Sequence, residues 1–143
     1  MPFGIDLALR ILADVSFLII AMMTVRSAIL TFGLDYMGLV YLYFPEESEV
    51  QQHEICSVLR HPTYFAVVCL AVGGFMIRMS VFSFVFLILL DIGLLAHIRF
   101  VEEEELIERF GESYLEYQKQ VPALHVRIRN LRTYFRFLSR RDL

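Results

Sequence analysis

Residues 60–105 read RHPTYFAVVCLAVGGFMIRMSVFSFVFLILLDIGLLAHIRFVEEEE. Two apolar runs, Thr63 to Ile77 and Val81 to Phe100, are parted only by Arg78, Met79 and Ser80. A helix rises about 1.5 Å per residue, so the second run reaches across a hydrocarbon layer roughly 30 Å thick. The first run is short for a span. Tilt and the interfacial ring of Tyr64 bring it to length, with a partly re-entrant path as the alternative. The simplest arrangement is a tight helical hairpin over 63–100 with Arg78 at its far tip. The polar bend RHPTY and the acidic run after Phe100 then return to one side of the bilayer.

Composition agrees with a membrane setting. Of 143 residues, 57% are hydrophobic and the mean hydropathy is +0.59, above the near-half apolar share of water-soluble domains. The net charge of −3 averages two unequal ends, because acids gather in PEESEVQQHE and VEEEELIERFGE while arginines gather in HVRIRNLRTYFRFLSRR. Cys56 and Cys69 show neither metal nor disulfide spacing and read as small packing residues, Cys69 within lipid. His53, His97 and His125 lack metal-ligand spacing, so no metal is expected.

Working outward, residues 5–32 form a first span. Arg10 and Asp14, four apart, can pair on one face, and Arg26 can snorkel. A signal peptide fits poorly, since the stretch is too long and lacks a basic leader and a small-residue cleavage site. Residues 34–62 are expected outside the bilayer. Within them GLVYLYFP is short, β-branched and aromatic, which suits an extended segment leading to the RHP bend. In the segment 101–122, Leu106, Phe110, Tyr114 and Tyr117 trace one face of an amphipathic helix from about Val101 to Gln120, stopped by Pro122. In the tail, 123–143, Val126, Ile128, Leu131, Tyr134, Phe135 and Leu138 alternate with arginines, the pattern of a basic amphipathic helix on anionic lipid. No nucleic-acid partner is expected of a chain so tied to a membrane. The fold class is therefore all-α, a single polytopic membrane domain with about three transmembrane helices.

One span plus a hairpin puts the region from Leu34 to Pro62 and the whole C-terminal part on one side. The arginine-rich tail makes that side cytoplasmic and the N-terminus external. Arg60 offers a forked donor for carboxylate or phosphate, and Pro62 a fixed bend at a helix start. Glu102 and Glu103 can accept from an ammonium or a ribose diol. Together the two clusters suit a ligand carrying both signs of charge. The plainer alternatives are an acidic first turn stabilised by the helix dipole and an interfacial anchor at Arg60 and His61. Asp91, an acid within the second arm of the hairpin, is either functional or a packing residue.

RHPTY at 60–64, a hydrophobic hairpin and then EEEELIERFGESYLEYQKQVP at 102–122 form an ordered series. The series resembles the integral-membrane methyltransferases of the isoprenylcysteine carboxyl methyltransferase and phosphatidylethanolamine N-methyltransferase group. Their shared signature runs RHPxY, a hydrophobic stretch, EExxL, FGxxYxxY and VP. Arg60, His61, Pro62 and Tyr64 match its first part; Glu102, Glu103, Leu106, Phe110, Gly111, Tyr114, Tyr117, Val121 and Pro122 match the rest. The resemblance spans roughly Leu34 to Pro122.

It implies S-adenosylmethionine as cofactor at the cytoplasmic membrane face and a lipophilic or lipid acceptor arriving from the bilayer. Carried over, the cofactor-binding residues are Arg60, His61, Pro62, Tyr64, Glu102 and Glu103, and the catalytic pair is Arg99 with Glu103. Arg99 and Glu103 stand four apart where the family has five, so either Glu103 or Glu104 can take the second role. EICSVL also replaces the family's Gly-x-Tyr before RHP, and VPALHVRI lacks a further proline. A carboxylate acceptor needs no general base and can be oriented by an arginine. An ammonium must first lose a proton, to Glu103 or His61. Two other functions compete: a non-catalytic membrane protein retaining the fold, and a membrane reductase, since sterol reductases carry an RHP-like segment. The acceptor's identity and the oligomeric state are left open.

Overall fold

The structure is a computed structural model, described over residues 3–33 and 50–139. Among these residues all regular structure is helical. The long helices are α1 (Phe3–Phe32), α2 (Pro62–Arg78) and α3 (Val81–His97). Three shorter ones are α4 (Glu103–Phe110), α5 (Glu112–Gln120) and α6 (Leu131–Leu138). Two stretches are long and apolar enough to cross a membrane, Asp6–Phe32 and the continuous helix Val81–Phe110, with mean hydropathies of 2.0 and 2.4. α2 is apolar but shorter. The proposed extended segment GLVYLYFP lies outside the described residues. From Val50 onward the chain approaches the RHP bend through a 3-10 turn, Glu54–Ser57.

α1 and α2 pack antiparallel. Ala21 meets Ala66 and Cys69 near one end, while Asp14 and Phe17 face Gly73 further along. Surrounding lipid is as apolar as the side chains, so burial contributes little to this association and close dispersion contact must supply it. Small residues permit that contact. A Cβ on Gly73 would stand 2.8 Å from Asp14 Oδ1 and 3.3 Å from the Phe17 Cβ. The proposed pairing of Arg10 with Asp14 does not form. Arg10 instead binds Asp6, at 2.7 Å for its closest nitrogen, which places the acid four residues N-terminal to the base, the stronger orientation on a helix. Asp14 is turned toward α2.

The expected tight hairpin is present, with Arg78 exposed at its tip. Met79 caps α2 in the left-handed region (φ 34°), and Ser80 with Ser83 closes a reciprocal capping box at the start of α3. α3 buries no residue fully; Phe82, Phe86, Leu89 and Ile92 are each more than half exposed, as on a face solvated by lipid.

The single amphipathic helix expected over 101–120 is instead two. α3 passes through a π turn, Ile98–Glu102, into α4, and the chain then breaks at Gly111. Gly111 takes φ 60° and ψ −132°, a region open to a residue without a Cβ. The break folds α5 back, so that Tyr114, Tyr117 and Val121 pack with Val50, Leu106, Ile107 and Phe110. Periodicity alone carries on through a glycine; backbone freedom there decides otherwise.

The tail's apolar face is likewise divided. Tyr134 and Leu138 are buried against Ile55, Cys56, Val58 and Leu59, whereas Ile128, Leu131 and Phe135 stay exposed. The Tyr134 hydroxyl meets Thr24 Oγ1 at 2.5 Å, and Thr24 also donates to the Ile20 carbonyl at 2.7 Å, so Tyr134 is the donor of the pair. That bond clamps α6 on α1.

Gly73→Val should part α1 from α2 and lower stability by about 1–3 kcal/mol, as overpacking does. Thermal unfolding in detergent measures it, with Gly74→Val, where added carbon meets open space, as the control that stays near the parent.

Candidate functional site

The N-terminus of α2 and the end of the π turn meet where the apolar surfaces stop. Pro62 occupies the first turn of α2, where its missing N–H costs nothing, and directs the chain sharply out of the bend. The bend is held by backbone bonds to the VP loop: the Arg60 N–H donates to the Pro122 carbonyl at 3.0 Å and the His61 N–H to the Ala123 carbonyl at 3.2 Å. From the other side the Tyr117 hydroxyl donates to the Cys56 carbonyl at 2.6 Å. Pro122 of the VP motif and the residue after it, Ala123, thus supply the acceptors that fix the RHP motif.

Glu103 is the centre of the cluster and is 3% exposed. In the π turn its N–H reaches back five residues to Ile98, shifting the register of the helix beyond it. Glu103 therefore points inward while Glu104 and Glu105 point outward. One Glu103 oxygen takes Arg60 Nη1 in a buried ion pair, and the other accepts from Gln118 Nε2 at 2.7 Å. His61 lies between the acids, with Nδ1 3.5 Å from Glu102 and Nε2 3.6 Å from Glu103. Both are ion-pair contacts, too long for full hydrogen bonds. The Tyr64 ring stands edge-on to His61, centroids 5.8 Å apart, and 6.0 Å from the His97 ring.

Arg60, His61, Pro62, Tyr64, Glu102 and Glu103 are thus brought together. Arg99 reaches the same carboxylate at 3.9 Å, but its side chain is 63% exposed and faces outward. Glu104 stays on the outer surface. Sequence reasoning missed Gln118, which carries no motif signal and reaches Glu103 only because Gly111 turns α5 back. It also gave no part to His97, whose position just before the polar boundary was the available hint.

Glu102 and Glu103 lie beyond the apolar run that ends at Phe100. Burial alone would raise the pKa of both, but His61, with Tyr64 for Glu102 and with Arg60 and Gln118 for Glu103, outweighs it and holds them below the usual carboxylate value. Burial alone would lower the His61 pKa; the two carboxylates overcome it and raise it. Burial, with the Glu103 charge nearby, pushes the Tyr114 phenol up to about 12, so it stays neutral. Four buried polar atoms of these motif residues have no hydrogen-bond partner: Arg60 Nε, His61 Nε2, Glu102 Oε2 and the Tyr114 hydroxyl. Buried polar groups are ordinarily satisfied, so donors and an acceptor left open side by side suit a polar ligand of mixed charge.

The chain belongs to the phospholipid methyltransferase family, whose model matches residues 9–113. The match takes in the first span, the RHP bend, the hairpin and the glutamate run, and makes the chain a membrane protein of a methyltransferase family. No curated protein and no solved structure shows a significant match.

The pKa directions set a pH window. The raised pKa of His61 means that its stabilisation is complete below the ordinary value of 6.5 and is lost as pH rises through the higher folded value. The lowered pKa values of Glu102 and Glu103 mean that theirs is complete above 4.5 and is lost as pH falls through the lower folded values. Melting temperature in detergent should peak between these limits, and His61→Gln should flatten the decline on the alkaline side. Glu103→Gln, which leaves Arg60 buried without its counter-charge, should cost about 3–5 kcal/mol by the same assay.

Proposed function

We propose that the chain transfers a methyl group from S-adenosylmethionine to a lipid-borne acceptor at the membrane surface. The observation that carries this is the set of open polar atoms on Arg60, His61 and Glu102 at the edge of the apolar helices, in a chain of this family. The donor carries a carboxylate, an ammonium and a ribose diol. Arg60 Nε and His61 Nε2 suit the anionic and hydroxyl acceptors, and Glu102 Oε2 suits a donor N–H or O–H. Bound there, S-adenosylmethionine supplies an electrophilic methyl group already activated by its sulfonium.

The protein's own contribution is alignment and exclusion of water. Pro62 and Tyr64 form walls between the polar cluster and the lipid. Glu103 keeps Arg60 in place from one oxygen and draws Arg99 toward the other. Arg99, exposed and cationic, orients the phosphate or carboxylate of an amphiphile lying in the bilayer. If the acceptor is an amine, Glu103 is poorly suited to remove its proton, because it is buried and held in its ionised form by Arg60, His61 and Gln118.

The same reading has three spans, α1, α2 and α3, the N-terminus outside and the site cytoplasmic. The arginine-rich tail supports this orientation by the positive-inside rule. Cysteines placed singly at exposed Arg78 and Arg132 report it: a membrane-impermeant maleimide applied to right-side-out vesicles should label Arg78→Cys and spare Arg132→Cys. The reverse pattern would invert the topology.

Purified protein incubated with labelled S-adenosylmethionine and a membrane lipid extract should transfer label to a lipid. Arg99→Gln, a change at an exposed side chain, should retain donor binding by isothermal titration and lose transfer by about 10²-fold. Absence of donor binding by the parent chain would favour a non-catalytic membrane protein, and oxidation of a nicotinamide cofactor a reductase.

A further inference from the structure

The C-terminal helix is fixed to the membrane domain in a way that leaves two parallel stripes on its outside. Tyr134 and Leu138 form its buried stripe. Next to them, at helical spacing, run Ile128, Leu131 and Phe135, exposed by 87%, 39% and 48%. One position further round run Arg129, Arg132 and Arg136, all exposed. Among the described residues no ion pair engages Arg129 or Arg132, and Arg136 rests over the Phe137 ring at 5.8 Å. Beside the start of the arginine row lies a shallow groove of about 570 Å³, lined by His125, Val126, Arg127, Ile128 and Arg129.

Depth supplies a second constraint. The Tyr134–Thr24 bond fixes α6 beside α1, eight residues before its end at Phe32, or roughly 12 Å back along the helix. The Asp6–Phe32 stretch has 27 residues, about 40 Å, against a hydrocarbon core of roughly 30 Å. Taken at this end of α1, the excess of about 10 Å puts Thr24 within about 2 Å of the core boundary, so α6 lies beside α1 at the border of hydrocarbon and headgroups. An exposed apolar stripe at that level meets acyl chains, and the adjoining cations meet phosphates.

We infer that Ile128–Arg136 is a docking surface for anionic phospholipid headgroups, gripping the bilayer independently of the methyl-transfer site. The net charge of −3 does not oppose this. Fields in physiological salt decay over about 8 Å, so a headgroup against the arginine row responds to that row and not to the distant acidic segments. The inference rests on the chain's membrane setting and not on the proposed reaction.

The chain contains no tryptophan, so Phe135→Trp creates a single reporter at an exposed position. The full-length variant is reconstituted into vesicles of brominated phosphatidylcholine, alone or mixed with phosphatidylglycerol. The expected result is blue-shifted emission quenched by the brominated chains, more strongly in the anionic vesicles. That difference should be lost in about 1 M salt, where screening acts within about 3 Å. It should also be lost when Arg129, Arg132 and Arg136 are all replaced by Gln. Equal quenching in both vesicle types would overturn the inference. So would water-like emission in both, which would assign this face to a soluble partner or a second copy. Leu131→Trp, on the same stripe, repeats the measurement should the first variant fold poorly.

Discussion

The guanidinium of Arg60 and the carboxylate of Glu103 meet out of water, at the boundary between lipid and the polar end of the molecule. Burying two charges costs several kcal/mol each unless their remaining valences are met. Here Gln118 takes the second oxygen of Glu103 and the loop after α5 holds the Arg60 backbone, while Arg60 Nε is left open. Because Arg60 precedes α2 and Glu103 follows α3, the pair joins the two open ends of the hairpin. The long helices need not specify that closure through lipid-facing side chains, which on α3 pack against little else. The polar end does the specifying.

Two backbone departures make the closure possible, and they bracket the acidic run. The π turn at Ile98–Glu102 changes which glutamate faces inward. Gly111 then reverses the chain so that α5 can deliver Gln118 and Tyr117 to the underside of the RHP bend. Four consecutive glutamates on an uninterrupted helix would distribute their charges around its circumference. With these two breaks, Glu103 is enclosed, Glu102 is half-enclosed beside His61, and Glu104 and Glu105 are left to water.

The family match ends at residue 113, yet Gln118, Pro122 and Ala123 all contribute to the site. The segment after the match thus completes the cluster from below, and α6 beyond it ties the whole polar end to α1 through Tyr134 and Thr24. A methyl transfer needs little bond-making chemistry from a protein and much exclusion of water. An enclosed charged cluster flanked by lipid-facing helices is suited to both demands.

Much of this was legible along the chain. Long apolar runs broken at Arg78, Met79 and Ser80 determine a hairpin, because a charged residue has few places to go in hydrocarbon and a three-residue break leaves little room for anything else. The order RHPTY, hairpin, EEEE, FGESYLEY, VP determined which polar residues would converge. What residue order could not decide was register and partnership. Glu103 and Glu104 are chemically identical neighbours, and only the π turn distinguishes them. Asp6 and Asp14 are both four residues from Arg10, and the packing of Asp14 against Gly73 leaves Asp6 as the partner. Gln118 looks like any polar residue on a helix until the Gly111 turn carries it to Glu103. Local physics acts on residues a turn apart and can be read from spacing, whereas these choices depend on contacts between segments that only the folded chain brings within reach.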